Sequence, residues 1–317
     1  MLAAFAVQLQ SRKVLQRIHS ASFRARVAET FSSRRLLATY RLFVPSSALK
    51  DVVGASSIKL PLDEQQHVRS LRLKDGAAVE LFDGSGRLVL GRLRDRGRSV
   101  NALQLLASEA DPGAEASGRA AVSVVCLVGT PKSAQRADWM IEKLTELGVV
   151  AYRHVSSTRG EIDAAHVQKR ALNRWHQVSI AAAKQSLRRT LLDVGGHHSN
   201  PGSGWLTGVC SEATIAFDHL VQWIESTASA NQVFLLAAPA AMQTLMTWRA
   251  DAFPLRTASA SSMMPRRVVC IIGPEGGLTS DEEAALIGAG SIGVSLGPQR
   301  LRTETAAVAF AAALLTP

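Results

Sequence analysis

The chain has 317 residues, 47% of them hydrophobic, which supplies packed cores for two domains. No stretch reaches the ~18–20 uncharged apolar residues of a membrane span, so no transmembrane helix and no membrane partner are expected. Three widely spaced cysteines, Cys126, Cys210 and Cys270, argue against a disulfide framework or a zinc site and read as buried free thiols.

The net charge of +10 is unevenly spread. Residues 1–40 hold seven Arg and Lys against Glu29 alone, a net +6, which leaves +4 for the other 277 residues. The body is therefore only modestly basic for a nucleic-acid binder. The head is Arg-rich, Ser-containing and nearly free of acids, as in a transit peptide for a mitochondrion, or for a plastid as the alternative. A disordered basic arm that touches RNA is the competing reading. In that case the protein would stay in the cytoplasm.

Past the head, short apolar alternations at 41–44, 79–82, 88–93 and 100–106 predict a β-rich domain over 41–110. Asp83-Gly84-Ser85-Gly86 reads as a hairpin turn between two of these strands. Arg69, Arg72, Lys74, Arg87, Arg92, Arg94, Arg96 and Arg98 cluster here. They suit phosphate contacts, or equally a solvated surface, because Asp75, Glu80, Asp83 and Asp95 are interleaved. His67 reads as a packed or capped histidine, with an RNA contact as the alternative. Residues 107–120 are rich in Ala, Gly, Glu and Ser and read as a linker, assigned over 111–120.

The segment 121–317 alternates strands with helices, which means an α/β domain with a parallel sheet. Residues 122–128 suit a strand buried on both faces. Thr130 and Pro131 look like the cap and first position of a helix carrying Trp139, Met140, Lys143, Leu144 and Leu147, which Gly148 stops. Val167, Ala171, Trp175, Val178 and Ala182 repeat the helical spacing. Gln185 and Arg188 line an RNA-facing side or form that helix's polar face. Residues 195–208 read as a loop. Adjacent His197 and His198 do not converge on one point in a regular element, so no metal is assigned.

Strand signals return at 233–237, followed by Pro239, and at 268–272, followed by Gly273-Pro274-Glu275-Gly276-Gly277. There Ser280 and Glu283 stand three apart, as in a capping box. This glycine loop matches neither usual phosphate fingerprint, and Glu275 would repel a phosphate. It suits a ligand without phosphates, such as a cofactor that is cationic at its reactive atom. A further strand signal at 292–296 breaks at Gly297-Pro298. Gln299, Arg300, Leu301 and Arg302 follow, and Thr303 reads as the N-cap of an apolar, buried helix with Glu304 in its first turn. Ligands of parallel sheets bind beyond the carboxyl ends of strands. Here those ends are Ala237 to Pro239, Gly273 to Gly277 and Leu296 to Arg302.

Gly273-Pro274-Glu275-Gly276-Gly277, Leu296-Gly297-Pro298 and Leu301-Arg302-Thr303-Glu304-Thr305 together resemble the ribosomal RNA small subunit methyltransferase E family, within the SPOUT methyltransferases. Lys143-Leu144-Thr145-Glu146-Leu147-Gly148-Val149 is similar to its Lys-x-x-Glu-Leu-Gly motif, Ala181 to Ser186 to its Ala-x-Glu-Gln-x-x-Arg region, and His67 to Gly84 to its RNA-binding domain. The resemblance covers Arg41 to about Leu315. It implies a PUA-like β-barrel, then a SPOUT domain with a C-terminal trefoil knot, an exception to the rule against knotted chains. It implies S-adenosylmethionine as cofactor, methylation of N3 of a uridine in small-subunit rRNA, and a homodimer. The implied cofactor set is Ala237, Pro239, Gly273, Pro274, Glu275, Gly276, Gly277, Leu296, Gly297, Pro298, Leu301 and Thr303. The implied RNA set is Arg41, Arg69, Arg72, Gln185 and Arg188, with rRNA or the small ribosomal subunit as partner.

Removing the imino proton of uridine spreads negative charge onto the flanking carbonyl oxygens, so an arginine beside them would act as an oxyanion hole does. Arg302 is the candidate; a salt bridge to Glu304 or Glu275 is its structural alternative. Glu275 or Glu304 would act as a base only if held near the proton, and a helix-terminus charge is the plainer reading. Two departures from the family pattern bear on the target nucleotide. Lys184 stands where an acid is usual, and Ser156-Ser157-Thr158-Arg159-Gly160 lacks the usual Glu. An inactive RNA-binding module and a methyltransferase for another RNA base remain the competing functions.

Overall fold

The computed structural model describes residues 40–49, 57–106, 122–160, 169–195, 212–228, 231–253 and 267–315. The expectations for the basic head, the linker, Cys210, Val167 and the His197-His198 pair fall outside them.

The first unit comprises β1 (Tyr40–Phe43), α1 (Ser46–Leu49), β2 (Ser57–Lys59), α2 (Leu62–Ser70), β3 (Ala78–Phe82), β4 (Leu88–Arg94) and β5 (Ser99–Leu106). Its strands form one mixed sheet in the order β1-β3-β4-β5-β2. β1 runs parallel to β3 and the other pairs are antiparallel. Alternation places Leu42, Val79, Leu81, Val89, Leu93 and Val100 in one buried cluster with Val68 of α2. The hairpin turn is where the sequence places it. Gly84 and Gly86 take φ of 78° and 101°, and the Asp83 carboxylate accepts the Ser85 N–H at 2.9 Å.

The second unit comprises β6 (Ser123–Val128), α3 (Ala134–Leu147), β7 (Ala151–Ser156), α4 (Lys169–Ser186), β8 (Thr214–Ala216), α5 (Phe217–Thr227), β9 (Gln232–Ala237), α6 (Leu245–Ala252), β10 (Arg267–Ile272), α7 (Ser280–Gly288), β11 (Ile292–Val294) and α8 (Thr303–Leu315). The sheet order is β11-β9-β10-β6-β7-β8, and every pairing is parallel. Both faces are covered, as the continuous apolar runs require. On one side α3, α4, α6 and α8 supply Met140, Trp175, Trp248 and Phe310; on the other, α5 and α7 supply Trp223 and Leu286. Each such fully buried large side chain contributes roughly 1.5–3 kcal/mol. Cys126 and Cys270 are register partners on β6 and β10, buried and free. Burial pushes the Cys270 thiol well above its ordinary range, which keeps it inert.

Three local expectations are corrected. α3 begins at Ala134, after Ser133, and not at Pro131. The Thr130 hydroxyl is used elsewhere, hydrogen-bonding Tyr152 Oη and, at 2.8 Å, His154 Nδ1. The capping box of α7 is Thr279 with Glu282, one residue before the expected Ser280–Glu283 pair. Thr303 is the first residue of α8 and does not cap it; its hydroxyl donates to the Gly273 carbonyl at 3.3 Å. Gly148 does end α3, at φ 103°.

The two units share a tight seam. Leu191 N–H donates to the Gly84 carbonyl at 3.0 Å and Gly86 N–H to the Arg189 carbonyl at 3.2 Å. A Cβ on Gly84 would lie 2.6 Å from Leu191 Cγ, so the contact requires glycine. Phe82, Ile180, Ala183 and Leu191 pack together beneath it. Arg41 and Arg188, expected to face RNA, are consumed here. Arg41 is buried, ion-pairs with Glu80 at 3.0 Å and donates to the Arg188 carbonyl at 2.8 Å. Arg188 is also buried and donates to the Thr145 and Val149 carbonyls and to Thr190 Oγ1. Buried and held by these acceptors, neither guanidinium is presented to a phosphate. Lys184, the departure on α4, pairs with Glu64 across the same seam.

Glu282 ties α7 to the loop after β7. Its carboxylate accepts the Thr279 N–H at 2.8 Å and the Thr158 N–H at 2.8 Å. Burial pushes this carboxyl up, but the hydrogen bonds from Thr158 and Thr279 outweigh it, so the net shift is downward. A lowered folded-state pKa stabilises the fold above the ordinary Glu range, and that contribution is lost as pH falls through the folded value. Glu282→Gln should therefore lower the melting temperature at neutral pH, and the gap to the unsubstituted protein should close on acidification. Thermal melts of both proteins across pH 3–7 test this; a gap that stays constant with pH would overturn it.

Candidate ligand site at the ends of β9, β10 and β11

Three strand ends and two loops enclose a cavity of about 880 Å³, the size of a cofactor pocket. Ala237 and Pro239 line it from beyond β9, and Gly273, Pro274, Glu275 and Gly277 from beyond β10. Leu296, Gly297, Pro298, Leu301, Arg302 and Thr303 line it from beyond β11. The sequence reading thus converges on one place. Gly276 does not line the cavity; a Cβ there would meet Arg159 Cβ and its carbonyl at 3.2 Å. That glycine makes room for the 156–160 loop, and not for a ligand.

The glycine loop is pinned from behind. Gly129 N–H donates to the Ile272 carbonyl at 2.9 Å. A Cβ on Gly129 would lie 2.5 Å from Pro274 N, so only glycine at the end of β6 lets the loop settle there. Gly277 and Gly297 differ from it. Both have positive φ, 73° and 129°, and a Cβ on either would meet nothing within 4 Å. The space before them belongs to the cavity, so a ligand can lie against bare backbone at both points.

Charge is organised by a residue the sequence reading missed. Arg136, in the first turn of α3, ion-pairs with Glu275 and stands 3.8 Å from Glu304. A cation in a helix's first turn opposes the helix dipole, and that misplacement is the signal that could have found it. Two carboxylates share one guanidinium, so the trio carries a net negative charge. Glu304 is buried, and its Oε2 has no partner among the described residues. Arg300 donates to the Glu275 carbonyl at 3.4 Å. The expected alternative for Arg302, an ion pair with Glu275 or Glu304, is not made. Its guanidinium has no hydrogen-bond or ion-pair partner among the described residues and lines the cavity. Glu283 also lines it.

The RNA candidates are scattered. Arg69 and Arg72 are exposed at the end of α2, while Gln185 lines a second cavity against the first unit. Among the described residues, no group of three or more His, Cys, Asp or Glu is placed to hold a metal, and no helix is long and apolar enough to cross a membrane.

A family model described as an RNA methyltransferase domain matches residues 119–315. The ribosomal RNA small subunit methyltransferase E of Mycobacterium bovis is 32% identical over 248 residues, covering 77% of this chain and 80% of that protein. Its counterpart in Synechocystis is 26% identical over 276 residues, with 87% and 77% covered. A crystal structure of the Neisseria gonorrhoeae enzyme of the same name, bound to S-adenosyl methionine, is 25% identical and superposes with a TM-score of 0.63, covering 88% of this chain and 97% of that one. With the glycine loop, the 296–303 loop and the parallel sheet all in place, the chain belongs to the ribosomal RNA small subunit methyltransferase E family.

Proposed function

We propose that this protein transfers a methyl group from S-adenosylmethionine to N3 of a uridine in small-subunit rRNA. The observation that carries the reading is the cavity itself: bare glycine backbone at Gly277 and Gly297, a net negative carboxylate cluster, and an unpaired Arg302 on one wall. The donor set fits this cofactor. It has no phosphates for Glu275 to repel, and its positive charge complements the Glu275–Arg136–Glu304 trio. When bound, the cofactor supplies an electrophilic methyl group. Ala237, Ile272, Leu296 and Ala306 offer an apolar wall for its ring system.

The chain's own residues do the rest. Arg302 donates to the uracil carbonyl oxygens as charge develops there when the N3 proton passes to solvent water, and the N3–CH3 bond forms as the methyl–sulfur bond of the donor breaks. Arg136 holds Glu275, which frees Arg302 for substrate. The glycine loop and the 296–303 loop fix the reacting partners in line, and such positioning supplies much of a transfer between preorganised groups.

The wider organisation is read from the family resemblance and, for the head, from its composition. We read 41–110 as a PUA-like barrel that touches RNA through Arg69 and Arg72, 111–120 as linker, and 121–317 as a SPOUT domain. We read the passage of α8 beside both α3 and α6 as part of a trefoil knot. A homodimer is the expected assembly. The acid-poor head, 1–40, is read as a transit peptide, mitochondrial before plastid.

Three outcomes test these statements. Gly277→Val strains the backbone at positive φ and fills ligand space, so calorimetry on the folded variant should find S-adenosylmethionine affinity lowered by at least about tenfold; unchanged affinity would remove this loop from the site. Arg302→Ala should cut turnover by ~10²-fold or more on small-subunit RNA, with cofactor affinity little changed. If Arg302 is merely structural, the melting temperature falls instead and the rate per folded molecule stays normal. Residues 1–40 fused to a fluorescent protein should enter mitochondria or plastids, and their removal should leave methylation in vitro intact. A cytosolic fusion, together with loss of activity on removal, would make the head an RNA-binding arm.

A further inference from the structure

A second cavity, of about 630 Å³, lies at the seam between the two units and has no part in the cofactor site. Two helical faces confront each other across it. From α2 come Asp63 and His67, four residues apart and so on one face; from α4 come Gln177, Ala181 and Gln185, again at intervals of four. The floor is apolar: Phe43 and Ile180, with the Phe43 ring edge-to-face with His176 at 6.1 Å. Asp63, Gln177, Ala181 and Gln185 are exposed, and His67 is half-buried. The small Ala181 leaves a slot between two amides.

The cleft is preformed. The Glu64–Lys184 ion pair, the Arg41 bond to the Arg188 carbonyl and the Gly84–Leu191 hydrogen bond clamp the seam around it. A rigid slot with ring walls, an apolar floor and polar lips accepts a flat heterocycle. It does not suit a phosphate. The cations that line it are taken, Lys184 by Glu64 and Arg41 by Glu80, and Asp63 at the lip would repel an anion. Phosphates instead find Arg69 and Arg72, exposed at the end of α2 beside His67. Asp63 has no hydrogen-bond donor among the described residues, and it matches an exocyclic amino group, which adenine, cytosine and guanine carry and uracil lacks.

We infer that this cleft holds an unpaired, amino-bearing nucleobase of the RNA substrate, distinct from the methylated uridine. The site rests on the RNA methyltransferase reading. His67 stacks on the base, Asp63 accepts from its amino group, and Gln177 and Gln185 reach its remaining edge atoms. The uridine to be methylated is selected at the first cavity; this one reads a second nucleotide and fixes the distance between them. Lys184 belongs to this device. By neutralising Glu64 it leaves Asp63 as the single carboxylate that a base meets.

The test uses the full chain and fluorescently labelled single-stranded oligonucleotides of adenosine, cytidine or uridine, about ten nucleotides long, within the usual site size of single-strand readers. Anisotropy should find the adenosine and cytidine probes bound about tenfold more tightly than the uridine probe. Asp63→Ala, which removes the acceptor, should erase that preference. His67→Ala and Gln185→Ala, both away from the core, should weaken the adenosine and cytidine probes by about tenfold and leave S-adenosylmethionine affinity unchanged. Equal binding of the three probes by the unsubstituted protein, or unaltered preference in all three variants, would overturn the inference. Base preference intact with no methyl transfer to any RNA would sink the methyltransferase reading and leave this site standing.

Discussion

The site depends on one strand held from both sides. β10 pairs with β6 from Arg267–Ser123 through Ile272–Val128, and with β9 from Arg267–Gln232 through Ile271–Leu236. A strand with both ladders filled and both faces buried cannot slip, because a one-residue shift would turn every side chain to the wrong face. The chain leaving it at Gly273 therefore starts from a fixed point. Gly129 then lets Pro274 settle against the end of β6, and Thr303 reaches back to the Gly273 carbonyl. The glycine loop is shaped by three neighbours before any ligand arrives, so little ordering entropy is left for binding to meet.

Electrostatics completes what packing begins. Glu275 comes from the loop after β10 and Glu304 from the first turn of α8, and the fold brings both near one point. Left alone they would repel. Arg136 joins them, and because one guanidinium serves two carboxylates the region stays net negative. Glu275 and Glu304 meet Arg136, not Arg302. Arg302 is exposed at the cavity wall, so its charge stays hydrated and open to whatever enters.

Much of this was legible in the sequence where local chemistry decides structure. The breaks after 233–237, 268–272 and 292–296 gave the strand ends, and the parallel-sheet rule gathered them on one side. The reading failed where a residue's role depends on what approaches from far along the chain. Arg41 and Arg188 look like surface arginines, yet a seam 147 residues apart in sequence closes over them. Gly276 looks like a ligand-facing glycine, but the 156–160 loop takes its space. Thr130 and Thr303 have the right residue type for caps, and each is drawn to a distant partner instead. Arg136 was passed over for the converse reason: only the folded sheet brings the end of β6 beside Glu275. The capping box, too, was read one residue late, because Thr279 and Ser280 are equally good caps and only the reach of Glu282 to Thr158 separates them.

The two departures from the family pattern find structural uses, and these bear on how the halves work together. Thr158 and Arg159 bond to Glu282 and to the Leu278 carbonyl, at 2.8 Å and 3.3 Å, so the altered loop braces the base of the cofactor loop. Lys184 binds Glu64 of the other unit. A surface ion pair would contribute little, but this one has side chains largely withdrawn from water and is backed by the buried Arg41–Glu80 pair and the Gly84–Leu191 contact. A seam made of several such contacts moves as one piece or not at all. The first unit is then a fixed extension of the second, and its exposed Arg69 and Arg72 stand at a set distance from the cavity that Arg302 lines. A rigid seam makes that distance a property of the sequence.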